Sequence, residues 1–321
     1  MNRNLQNIED LNAEILRQSV QGGDTAALRD ERKAMIDQIS SVLTLRVVER
    51  ENGQLALYTG NGATLLDGRA AELGFTPKAT ITQDMTRTSG ALSGLTLNGR
   101  VVTVGESDGS GFMDGGSLGA LFVQRDTTLP GIADQLDALA GDLVERFQAA
   151  GLDPTAAPTD PGLFTDAGAR YDPSDQIGIA GRLALNTAFD PEQGGQTWRL
   201  RDGQNAPAAG DVGDGTMLAA LQDAALERRA PAAALSVTGA GSMTDFAAGL
   251  TSSVATQQAL AEDDVSYLTA LNTSLRDTEL QTSGVDTDAE MQRLLLVERS
   301  YAANARVIQT VDELIRRLLE I

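Results

Sequence analysis

The stretch Glu298-Arg-Ser-Tyr-Ala-Ala-Asn-Ala-Arg-Val-Ile-Gln-Thr-Val-Asp-Glu-Leu-Ile-Arg-Arg-Leu-Leu-Glu-Ile321 carries the clearest periodicity in the chain. Leu294, Tyr301, Ile308 and Ile315 stand seven apart, and Val297, Asn304, Val311 and Leu318 fill the companion positions. Such spacing puts an uncharged seam along one face of a helix, the pattern of a coiled coil. The seam needs a partner, either the protein's own core or another molecule, and both readings stand at this point. Gly284 breaks the pattern ahead of it, and Asp286 or Asp288 can cap the new helix. About 36 residues at 1.5 Å each would make a rod of about 54 Å.

Working back from this helix, residues 216–284 read as further rod helices. Met217 to about Arg229 is amphipathic, an Ala/Gly connector follows, and Thr244–Leu280 carries Val254, Ala261, Leu268 and Leu275 at steps of seven. Residues 151–215 hold most of the prolines and many Asp and Gly residues, and read as an irregular insertion with a few short strands. In 106–150, Leu118, Leu121, Phe122, Leu129, Ile132, Leu136, Leu139, Leu143 and Phe147 form an apolar stripe, bent or broken at Pro130. Asn52-Gly53 and Asn98-Gly99 each separate two short apolar runs, so 46–105 reads as a small antiparallel β unit. Residues 1–45 read as a helical hairpin. Leu5, Ile8, Leu11 and Ile15 line one helix, Gly22-Gly23 stops it, Asp24 caps the next, and Leu28, Met35 and Val42 line that one. The expected fold is mainly α with a β part. It is an elongated rod of α-hairpin and long C-terminal helices, carrying a small antiparallel β unit and an irregular insertion, with 285–321 as its terminal coiled-coil helix.

Composition narrows the chemistry. The 321 residues contain no histidine and no cysteine. This removes Ser-His and Cys-His nucleophile pairs, imidazole- or thiolate-ligated metals, and disulfides. Lys+Arg 25 against Asp+Glu 45 leaves a net charge of −20, which repels phosphate backbones and anionic lipid. Neither nucleic acid nor membrane is therefore an expected partner. The first residues lack the apolar region of a cleavable signal, so the expectation is a cytosolic protein or one exported by a signal-less route.

Two motifs invite a catalytic or metal reading. Gly115-Gly116-Ser117-Leu118-Gly119 matches the G-x-S-x-G elbow of serine hydrolases, yet no imidazole exists to take the serine proton. A structural turn is the expected role. Asp108-Gly-Ser-Gly-Phe-Met-Asp114 lacks the ligand spacing and closing Glu of a calcium loop. No cofactor, metal site or catalytic residue is expected.

The terminal helix resembles the C-terminal signature of flagellar axial proteins, which reads close to Q-x-A-Y-x-A-N-A-x-V-I-x-T-x-D-E-L-x-x-x-L-L. Tyr301, Ala303, Asn304, Ala305, Val307, Ile308, Thr310, Asp312, Glu313, Leu314, Leu318 and Leu319 fit that pattern. Ser283-Gly284-Val285-Asp286 resembles the element just before it. Leu28-Arg29-Asp30-Glu31-Arg32, Arg46-Val47-Val48-Glu49 with Asn52-Gly53, and Gly115–Gly119 followed by Arg125-Asp126 resemble the hook-associated junction members of that family. The resemblance implies a non-enzymatic structural protein outside the cell, in the bacterial flagellum, exported unfolded and assembled as a ring between hook and filament. Its implied partners are copies of itself, the hook protein, the next junction protein toward the filament, and a flagellar export chaperone. Leu294, Val297, Tyr301, Asn304, Ile308, Val311, Ile315 and Leu318 are the expected assembly interface. The family begins with a helical segment that this chain is expected to lack. Another axial subunit, of hook or flagellin type, and a non-flagellar coiled-coil adaptor are the alternative readings.

Overall fold

The structure, a computed structural model, describes residues 1–87, 89–102, 104, 115–235, 237–283 and 287–319. Two compact units are present, Met1–Val254 and Ala255–Ile321.

The first unit opens with an antiparallel pair, α1 (Asn2–Val20) and α2 (Ala26–Ser40). Gly22 takes φ +74° to end the first helix. The Asp24 carboxylate accepts from the Ala26 amide at 2.9 Å, which starts the second. Strands β1 (Leu45–Glu49), β2 (Leu55–Thr59), β3 (Thr64–Asp67) and β4 (Arg69–Ala70) then form one antiparallel sheet in sequence order. A second sheet holds β5 (Leu73–Gly74), β6 (Leu95–Leu97) and β7 (Arg100–Val102). Both Asn-Gly pairs sit at hairpin ends with positive φ throughout: Asn52 56° and Gly53 75°, Asn98 50° and Gly99 77°. This backbone twist matches that of the paired strands.

Hairpin and sheets share one core. Leu5 and Ile8 of α1, Ile39 of α2 and Leu43 just beyond it, Leu57, Leu65 and Leu66 of the first sheet, and Leu95 of the second are all buried together. Phe122 reaches the same core from α3 (Gly116–Val123). A turn of π-helix over Gln124–Thr128 joins α3 to α4 (Leu129–Phe147). Pro130 stands in the first turn of α4. Its missing N–H removes one backbone bond to the turn before, and the chain takes up the change as the π turn rather than a break.

The leucine stripe expected along 118–147 is only partly the packing face. Leu121, Leu129 and Leu136 are 61%, 54% and 45% exposed, whereas Asp137, Ala138, Ala140, Gly141, Val144 and Arg146 are buried. Close approach selects the small residues: a Cβ on Gly141 would lie 2.9 Å from the Tyr171 hydroxyl oxygen. Asp137 is buried because it accepts from the Gly178 and Ala180 amides at 2.6 and 2.9 Å and from the Gln83 side chain.

The stretch 151–215 contains β8 (Phe164–Asp166), α5 (Ile179–Arg182), β9 (Leu183–Leu185), which pairs with β8, and α6 (Arg199–Asp202). Its aspartates are turn formers. Asp153, Asp172, Asp190 and Asp214 each accept from the backbone N–H two residues on, at 2.8, 2.9, 2.9 and 3.0 Å. Tyr171, Ile179, Ala140 and Val144 make the small core that fastens this stretch to α4. Next come α7 (Thr216–Leu226), α8 (Met243–Ser283) and, in the second unit, α9 (Thr287–Leu319). None of the helices among the described residues is long and apolar enough to cross a membrane.

Candidate assembly interface

α9 begins with Asp288 and Glu290 in its first turn, where acids favour the positive end of the helix. Along it the expected seam lies open. Tyr301 is 78% and Ile308 69% exposed; Leu294, Val297, Val311 and Ile315 are also exposed, as is Asn304. The Leu318 side chain lies outside those described. Every described side chain from Val254 onward is in fact exposed, including Leu268 and Leu275 of α8.

Heptad spacing alone misses part of this surface. Leu295, Leu296 and Val307 lie off the seam and are also exposed. The signal for them is the unbroken run Leu294-Leu295-Leu296-Val297. Apolar residues around more than one stripe suit a helix surrounded by neighbours better than a two-stranded coil. Fully burying one such side chain contributes about 1.5–3 kcal/mol. The α9 ion pair of Arg293 with Glu290, at 3.2 Å, has both partners solvated and so adds little.

The other candidate sites do different work. Gly115 and Gly116 adopt φ +81° and +67°, and a Cβ on Gly116 would lie 2.3 Å from the Val42 carbonyl oxygen. That carbonyl accepts from the Leu118 amide at 2.9 Å. The G-x-S-x-G stretch therefore lets the start of α3 press against the end of α2. The Asp108–Asp114 loop lies outside the described residues. Among the described residues no cluster of three metal-ligating side chains occurs. A cavity of about 240 Å³ lies between the end of α4, α6 and α7, lined by Phe147, Phe189, Leu200 and Met217 among others.

Residues 1–158 match the family described as the flagellar hook-associated protein FlgK helical domain, and residues 278–321 match the flagellar basal body rod FlgEFG protein C-terminal family. The two matches support a FlgK-like hook-associated protein. In this FlgK-like chain the second match includes all of α9, and so every residue of the seam. Among solved structures, the flagellar hook junction protein FlgK from Burkholderia pseudomallei is similar at 20% identity and a TM-score of 0.32. The likeness covers 51% of this FlgK-like chain and 30% of that one. No curated protein matches.

Proposed function

We propose that the chain is a non-enzymatic structural component of the bacterial flagellum that joins hook to filament as a ring of identical subunits. The observation that carries this reading is the coincidence of an open heptad surface on α9 with a C-terminal family shared by flagellar rod proteins. Leu294, Val297, Tyr301, Asn304, Ile308, Val311, Ile315 and Leu318 form the assembly interface, together with the exposed leucines of α8. Burial of that surface against neighbouring subunits drives polymerisation. The hook protein lies on one side of the ring and the next junction protein on the other. Before assembly the same apolar face serves an export chaperone as a helix-in-groove ligand.

Immunogold electron microscopy with antibody against residues 46–215 tests the placement. A single label at the hook–filament boundary supports the junction role. Label along the whole hook or filament reassigns the chain to a bulk axial subunit, and flagella without label remove the flagellar reading.

A further inference from the structure

Arg146 is fully buried on α4, and its partners lie far along the chain. It donates to the carbonyl of Glu227 and, at 3.3 Å, to that of Ala224 at the end of α7. It also donates to the Gly241 carbonyl at 3.4 Å, and its guanidinium lies 5.8 Å from the Phe246 ring centre. Gly241 belongs to a backbone bridge with Arg229, and Phe246 is the fully buried residue in the first turn of α8. One side chain thus closes the connector and the root of α8 onto α4.

We propose that the root of α8 (Met243–Val254), with the Arg229–Gly241 bridge that carries it, is a latch. It seats on α4 as one cooperative piece and opens without the core of α1, α2 and the two sheets. This inference does not depend on the flagellar role.

Three observations support it. First, the apolar contribution is small: Ala138, Leu235 and Phe246 are the buried residues of this cluster, which is separate from the core of the hairpin and sheets. Second, only one of the three carbonyl bonds, that to Gly241, holds the latch itself, while the other two stay with the end of α7. Third, Arg146 also pairs with Asp142 at 2.6 Å, four residues back on its own helix. Opening therefore exposes a charge that keeps its partner, and the large penalty of stranding a buried ion does not arise. The latch is also tight within itself: a Cβ on Gly249 would lie 2.4 Å from a Val237 methyl, and one on Gly241 would lie 2.8 Å from the Phe246 ring. Local opening of this kind is read by hydrogen exchange.

The test is native-state hydrogen exchange of the full chain, comparing peptides of the α8 root with peptides of β2. In the unaltered protein the root amides are expected to exchange at least tenfold faster than those of β2. Arg146→Met removes the donor to Gly241, and Gly249→Ala disturbs the packing of the root on Val237 while leaving Arg146 in place. Each is expected to speed exchange of both root and bridge by a further tenfold and to leave β2 within twofold. Common rates for root and β2 in the unaltered protein would overturn the latch. So would two variants that leave the root unchanged, or a Gly249→Ala acceleration that spreads equally to β2.

Discussion

Asn12 shows how a single polar side chain ties helix to sheet in this fold. Its amide donates to the Leu55 carbonyl at 2.9 Å, and its oxygen accepts from Arg32 at 2.7 Å, with Arg32 also donating to the Gly53 carbonyl. Asn12 and Arg32 are both buried, and burial pushes the Arg32 guanidinium below its ordinary pKa. Asn12→Ala leaves the Leu55 backbone and one Arg32 donor without partners, which should cost about 1–3 kcal/mol, read as a lower urea midpoint at unchanged slope. Gly116→Ala should cost more than about 1 kcal/mol in the same measurement, because the site combines positive φ with a carbonyl in the way of any Cβ. At this scale the sequence is partly readable. Asn-Gly and Asp24 announce their turns through local chemistry, whereas Asn12, Asp137 and Arg146 look like surface residues, since their partners lie tens of residues away.

Elements differ in what specifies them. The heptads of α9 mark a helix without help from the rest of the chain, but say nothing of how far its apolar surface extends around the axis. If the seam drives assembly, Ile308→Asp should abolish polymerisation, measured by light scattering or sedimentation, and leave the unfolding midpoint of Met1–Val254 unchanged. The insertion is the opposite case. It has no period to read, because side chain-to-backbone bonds and one small core hold it. The amide of Ala157 holds Asp160 below the ordinary 3.8, and the amides of Ser174 and Thr216 do the same for Asp172 and Asp214. A depressed folded pKa contributes stability that is complete above 3.8 and lost as pH falls through the lower folded value. Trp198, the only tryptophan, lies in this stretch. Its fluorescence should stay level from pH 7 to about 4.5 and change below the ordinary carboxylate range; a transition centred above pH 5 would contradict the account.

For the molecule as a whole, a charge of −20 opposes association while the open leucines of α8 and α9 favour it. Salt shortens the screening length from about 30 Å at 0.01 M to about 8 Å at 0.15 M. Polymerisation followed by light scattering should therefore be faster at the higher ionic strength; slowing would mean that specific charge pairs guide the encounter. Composition made this balance legible from the start, and the mainly helical class with its β part followed from periodicity and turns. How the first unit is assembled was not legible: one core spans the hairpin, both sheets and Phe122, and no local pattern announces such a union. The open side chains beyond Val254 carry a last consequence. If the apolar residues of α9 find their cover on other molecules, the helix obeys mass action, and its melting temperature is a property of the solution as much as of the chain. Diluting the protein should lower the thermal midpoint of α9 and leave that of the hairpin and sheets where it was.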